Sequence, residues 1–265
     1  MTLRLLELIE NEKTKGYSDD NAGAKVCQDL ILKAISVSPL KRKVTIKGGV
    51  IMRDKTQNIR RATQDLDIDF IKYSLSSDSI DEFINKLISI ERIKFKRIGA
   101  IEELNQQDYH GKRVFIQIED SMGYTLNSKI DLGIHKNIEI EQEEYCFDIL
   151  FSDEGAILLI NTCEQIFVEK LSSLLKFGLF STRYKDIFDM YYLINYIDRE
   201  KLELCLNTYI FKNKQICESD IVEVHNRIMM TFSNNMFRRR IQTSDKKWID
   251  ENIEDIFDGI LKFLI

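Results

Sequence analysis

Between Lys47 and Phe70 the chain reads KGGVIMRDKTQNIRRATQDLDIDF, and this stretch limits the possible fold more tightly than any other. It follows the alternating run Val44-Thr45-Ile46 with two glycines and closes on Asp65-Leu66-Asp67-Ile68-Asp69. Side chains alternate along a strand, so the three carboxylates share one face and Leu66 and Ile68 share the other. Aligned like charges repel, and a hard divalent cation that prefers oxygen ligands, Mg²⁺ or Mn²⁺, would neutralise them. At Gly48-Gly49 the missing side chains let backbone amides come close to a ligand. The competing reading, an exposed strand edge with solvated charge, leaves the glycine turn unexplained.

Around this stretch the element order is that of an α+β protein. Positions 1 to about 38 read as two helices, with Asp19, Asp20 and Asn21 offering a cap for the second, and Pro39 separates them from a strand at 43–47. A helix or turn covers 50–58 before the aspartate strand. The pattern IDEFINKLISI predicts an amphipathic helix over 80–90, and runs at 114–118 and 129–133, joined by a polar turn, predict a hairpin that extends the sheet. The acidic segment 139–144 reads as a solvated edge. Beyond about 152 helical periodicity takes over, first at 163–178 and 183–197. The expected organisation is a mixed sheet with flanking helices over 1–150, then a helical domain over 151–265 that contributes to the cleft.

Composition narrows the function classes. A net charge of -5 over 265 residues argues against indiscriminate nucleic-acid binding, although basic runs at Lys41-Arg42-Lys43, Arg60-Arg61 and Arg238-Arg239-Arg240 leave room for a local RNA track. Five scattered cysteines form no zinc spacing and suit a reducing compartment. No stretch reaches the length of a membrane span, so a cytoplasmic location and no membrane partner are expected.

A glycine turn, an Asp-x-Asp strand and a later strand carrying Asp131 form the layout nucleotidyl transfer needs. A nucleoside triphosphate must be held with its α-phosphate in line with an attacking oxygen while developing charge is neutralised. In that layout Gly48 and Gly49 offer backbone contacts to the phosphates, Asp65, Asp67 and Asp131 hold metal, Asp131 activates the attacking hydroxyl, and Lys47 and Arg61 hold phosphates at the mouth. The pair Asp67/Asp69 fits the Asp-x-Asp pattern as well as Asp65/Asp67 does. The latter is preferred for its place after Arg61-x-Thr63, which puts Thr63 with the nucleotide-binding residues.

Four pieces in order, Lys47-Gly48-Gly49, Arg61-Ala62-Thr63-Gln64-Asp65-Leu66-Asp67, Glu169-Lys170-Leu171 and Arg183-Tyr184-Lys185-Asp186-Ile187-Phe188-Asp189, resemble the AbiEii/AbiGii toxin family within the polymerase-beta-type nucleotidyltransferases. The resemblance runs through roughly 44–195. It implies a nucleotidyltransferase fold, a divalent metal, an NTP substrate, and a toxin of toxin–antitoxin and abortive-infection systems that is opposed by a cognate antitoxin. Some members resemble enzymes that add nucleotides to the tRNA acceptor end, so tRNA or another RNA is the expected acceptor. Matched by position, Lys170 is the motif lysine, and Asp186 or Asp189 is the aspartate of the following motif. On a helix Lys170 would bring a compact cation to triphosphate oxygens, and Arg183 shares a face with Asp186. The superfamily often carries serine where Gly49 stands, so here backbone amides must make that contact. Two alternatives remain open at this point: transfer to a protein hydroxyl, and a non-catalytic module that senses nucleotide or binds antitoxin.

Overall fold

The computed structural model describes residues 4–106, 109–137 and 139–265, with backbone alone for 105, 106, 109 and 110. The first three positions, which the helical reading included, lie outside it. The chain divides into two compact units, one ending at Asn161 and the other starting at Thr162.

The first unit is a mixed seven-stranded sheet with helices. In chain order it runs α1 (Leu5–Thr14), α2 (Asp19–Ser36), β1 (Val44–Lys47), α3 (Gly49–Thr56), β2 (Leu66–Phe70), α4 (Ser77–Asn85), β3 (Lys94–Gln106), β4 (Tyr109–Glu119), β5 (Thr125–Ile134), β6 (Glu143–Ile149) and β7 (Ser152–Ile160). The strands lie in the order β3-β4-β5-β2-β1-β7-β6. Only β2 with β5 and β1 with β7 pair in parallel; the other neighbours are antiparallel.

The expected alternation in β2 is observed. Leu66, Ile68 and Phe70 are fully buried, whereas Asp65 and Asp67 retain surface. Ile68 stands between Ile46 of β1 and Leu132 of β5, so the apolar face of three central strands closes on one row. Helix α2 covers part of this sheet, and Val26, Leu30, Ile31, Ala34 and Ile35 on it are all buried. Helix α4 has the strong amphipathic pattern seen in the sequence but ends at Asn85, before the expected 90, and its Ser76 side chain caps it by accepting from the Ser79 amide.

Three strands were not foreseen. β3 and β6 are the two edges of the sheet, and β7 occupies the stretch where strand signals fade in the sequence. The expected domain boundary at 150/151 falls between β6 and β7, and the compact unit continues through β7 because that strand pairs with β1.

The second unit is helical: α5 (Cys163–Phe177), α6 (Tyr184–Leu193), α7 (Arg199–Leu206), α8 (Ile221–Ser233), α9 (Asn235–Gln242) and α10 (Ile253–Phe263). Helix α5 starts where the Thr162 hydroxyl accepts from the Gln165 amide and is buried over most of its length, as expected of the central helix of a bundle. Around it α8 and α10 meet through Phe232 and Phe257, whose rings stack with centroids 4.1 Å apart. At Gly259 of α10 a Cβ would lie 2.6 Å from the Tyr191 ring, so glycine permits the close approach of α10 to α6.

These positions predict opposite outcomes on one strand. Ile68→Ala removes side-chain volume from a fully packed row and is expected to cost about 2–5 kcal/mol, whereas Asp65→Ala, on the accessible face, is expected to change stability by less than about 1 kcal/mol. Urea denaturation of the two variants checks the contrast.

Candidate active site

The turn between β1 and α3 is the first element of the site. Gly48 has φ 72°, a left-handed conformation that glycine adopts without strain, and a Cβ there would lie 2.6 Å from Asp67 Oδ2. The Asp67 carboxylate therefore sits directly under the glycine turn. Gly49 opens α3, and a Cβ on it would lie 2.7 Å from Thr63 Oγ1. Gly48 has no side chain with which to cap α3, so the first amides of that helix have no intrahelical acceptor and stand at its positive end, an arrangement suited to an anion.

Backbone register places the carboxylates. Asp67 is directly opposite Lys47 on β1 and directly opposite Asp131 on β5. Asp65 precedes Asp67 on the same face. The structure thus brings Asp65, Asp67 and Asp131 onto neighbouring positions of one sheet face, next to Gly48.

Asp131, Asp65 and Asp69 are each paired with a cation. Arg113 on β4, in register with Asp131, makes a two-pronged pair with it: Nε to Oδ1 and Nη2 to Oδ2, each 2.8 Å. Lys129 Nζ lies 2.7 Å from Asp65 Oδ1, as an ion pair without hydrogen-bond geometry. Lys47 Nζ lies 2.9 Å from Asp69 Oδ1. Among the described residues no three His, Cys, Asp or Glu side chains are drawn together as a ready-made metal cage. The donor chemistry nevertheless fits a hard divalent ion, because Asp67 and Asp131 are adjacent oxygen donors and Asp67 is electrostatically frustrated as it stands. Its carboxyl group is raised to about 6, chiefly by burial and further by Asp131, Asp65 and Asp69, with Lys47 opposing.

Arg113 and Lys129 are absent from the sequence-based site, and so is Gln28. The Gln28 amide on α2 donates to the Thr63 and Asp65 carbonyls at 3.0 and 3.4 Å and so holds the entry to β2. Arg113 was recoverable in principle, since counting back from the polar turn of the β4–β5 hairpin pairs it with Asp131; Gln28 carries no local signal. Arg61 is buried, 3% exposed, in a short 3₁₀ turn at 59–61 instead of standing at a mouth.

Lys170, Arg183, Asp186 and Asp189 form a cluster of their own within the second unit. Lys170 Nζ lies 2.7 Å from Asp186 Oδ1 and 2.8 Å from Asp189 Oδ2. Arg183 Nε lies 2.8 Å from Asp186 Oδ2, and the Trp248 indole donates to Asp189 Oδ1 at 3.1 Å. Asp189 is completely buried and Lys170 nearly so, so this is neither a solvated lysine nor a set of surface helix pairs. Lysine four carbons from the backbone reaches both carboxylates from α5, while α6 presents Asp186 and Asp189 one turn apart.

A glycine turn over an aspartate strand, with a second acidic strand in parallel register, defines the class of protein as a nucleotidyltransferase. The family model described as "Nucleotidyl transferase AbiEii toxin, Type IV TA system" matches residues 30–258, and the chain belongs to this family. The family implies a nucleotide substrate, typically a divalent metal, and an antitoxin partner. Comparison with curated proteins gives no significant match. A solved structure that resembles the chain is an antigenic nucleotidyltransferase-like protein from Paracoccidioides brasiliensis, with 14% identity, a TM-score of 0.49, and coverage of 84% of this chain and 93% of that one. Among the described residues no helix is long and apolar enough to cross a membrane.

Two predictions follow the charges. With its folded value raised to about 6, ionised Asp67 weakens the metal-free fold above that pH, and the penalty is relieved as pH falls from 6 towards 4, where the folded carboxyl is protonated and the unfolded one is not. Asp67→Asn is expected to stabilise the chelator-treated protein at pH 7.5 by about 1–3 kcal/mol and to flatten this pH dependence, read by thermal unfolding across pH 4–8. Lys170→Met strands two buried carboxylates and is expected to cost about 3–5 kcal/mol, with much of the loss recovered in Lys170→Met/Asp189→Asn, read by urea denaturation.

Proposed function

We propose that this AbiEii-family nucleotidyltransferase transfers a nucleoside monophosphate from an NTP to RNA, with the acceptor end of tRNA as the target, and that transfer is the basis of a toxin activity opposed by a separately encoded antitoxin. The observation that carries the reading is the placement of Asp67 beneath the Gly48 turn and in direct register with Asp131.

In this reading the open amides at the start of α3 bind the triphosphate, and Gly48 and Gly49 keep the approach free of side chains. Asp65, Asp67 and Asp131 would hold Mg²⁺ or Mn²⁺, which when bound supplies charge neutralisation at the phosphates. Asp131 accepts the proton of the attacking RNA hydroxyl, and its bidentate Arg113 partner fixes the orientation in which it does so. The hydroxyl oxygen forms a bond to the α-phosphorus as the bond to the pyrophosphate oxygen breaks, and pyrophosphate leaves. Lys47 stands beside this face for the phosphate charge, with Thr63 against Gly49 to shape the turn. In the second unit Lys170, Arg183, Asp186 and Asp189 neutralise one another and hold α5 and α6 in one arrangement. Exposed basic residues in both units, among them Arg42, Lys43 and Arg60 in the first and Arg239 in the second, supply contacts for an RNA backbone.

Purified protein incubated with each labelled NTP, Mg²⁺ and total tRNA is expected to transfer label to tRNA. Asp67→Ala is expected to reduce the rate by at least about a hundredfold, the scale expected on losing a group that stabilises transition-state charge, with the fold retained. Nucleotide binding without incorporation into any RNA would rule out the proposed acceptor class.

A further inference from the structure

The two halves of the candidate active site arrive on different elements. The open amides that suit a triphosphate belong to the start of α3, and the carboxylates that suit a metal belong to β2 and β5. Each half is useful only at a fixed spacing from the other, since a misplacement of about 1 Å can cost about a hundredfold in rate.

A buried relay of side chains joins α3 to the entry of β2. Gln28 on α2 is fully buried, and its amide group meets both elements. Its Nε2 donates to the Thr63 and Asp65 carbonyls at 3.0 and 3.4 Å, on the segment that leads into β2 and sets Thr63 against Gly49. Its Oε1 accepts from Arg53 Nη1 on α3. Arg53 is buried as well, and its Nη2 donates to Asp29 Oδ1 at 2.9 Å. Lys25 then donates to Asp29 Oδ2 at 2.6 Å, so the relay is anchored one residue along α2 from Gln28.

The chemistry of the partners fixes which way the amide faces. A guanidinium only donates and a backbone carbonyl only accepts, so oxygen must point to Arg53 and nitrogen to Thr63 and Asp65. Ionised glutamate at 28 could not donate to the carbonyls, an apolar side chain could do neither, and asparagine is one methylene shorter. In a buried surround such charge-assisted links hold their geometry more firmly than isolated exposed ones.

We propose, on the reading of the α3 amides and the β2 aspartates as a nucleotide and metal site, that Gln28 is a positioning residue for nucleotidyl transfer. With Arg53 it locks the start of α3 to the metal-binding strand, so that triphosphate and metal meet in one geometry. It acts through Thr63, Asp65 and α3, without touching the reacting atoms. The acceptor of the transferred nucleotide plays no part in this role.

Titration calorimetry with Mg²⁺ and the α,β-methylene analogue of each NTP reads the assembled site without turnover. The wild type is expected to bind at least one analogue saturably. Gln28→Met keeps length and volume but removes the amide, and is expected to weaken this binding about tenfold or more at a temperature where it is fully folded. Arg53→Met, which leaves Asp29 paired with Lys25, is expected to do the same. The double variant is expected to bind within about threefold of either single one, because both changes break one link. Ile118→Ala, a core truncation on β4, is expected to lower stability and to bind as the wild type does. Wild-type affinity in Gln28→Met overturns the proposal, as do losses that multiply in the double variant. Equal weakening by Ile118→Ala also overturns it, by showing general destabilisation. If the wild type binds no analogue, the nucleotide-site reading fails and the proposal with it. Should Gln28→Met not fold, Gln28→Asn, which keeps the amide but shortens its reach, decides by the same criteria.

Discussion

Crowding of negative charge on one face of a central strand is the constraint to which the first unit answers. β2 places Asp65, Asp67 and Asp69 along one side, and its parallel pairing with β5 adds Asp131 beside Asp67. Such a row is tolerable only if positive charge is supplied around it, and three flanking strands do so: Lys47 on β1, Lys129 on β5 and Arg113 on β4. Asp67 has the least relief. Its carboxyl group lies under Gly48 in a desolvated surround, and its elevated proton affinity records the cost. A group whose neighbours disfavour its charge while the backbone holds it in place is what a site for a cation and a polyphosphate requires, and stability is given up there for function.

The second unit resolves a similar conflict by the opposite route. Lys170, Asp186 and Asp189 are buried together, with Arg183 and Trp248 completing their contacts, so the charges neutralise one another inside the helical unit. Such buried networks add little net stability compared with apolar packing, but they enforce one arrangement, because no member can move without leaving a partner uncompensated. Lys170 and the two aspartates are thus held as one group instead of as independent side chains.

The parts of this architecture that were legible in the sequence are those governed by local rules. Periodicity located α1, α2, α5 and α6, and alternation located β2 and the β4–β5 hairpin, because a half-buried element must repeat its apolar positions with its own geometric period. β3 and β6 were missed because edge strands carry charged residues on their open face: KFKR begins one and EEY the other. β7 was missed for a different reason. Its Ala-Ile-Leu-Leu-Ile run is apolar at every position although burial alternates and Ile157 is exposed, so the sequence shows no polar alternation to distinguish it from a helix. The ordered motifs pointed to the family, yet the partners of their charges came from strands and helices far away in the chain.

By itself the sequence determined the face on which the aspartates lie, the glycine turn that precedes them, the α+β class and the family, since each is written in spacing between near neighbours. Tertiary structure alone decided that Asp131 stands beside Asp67, that Lys129 pairs with Asp65, and that Arg61 is buried. Those outcomes depend on strand register and on packing between segments distant in the chain, and the chain carries no local signal for either until it closes on itself.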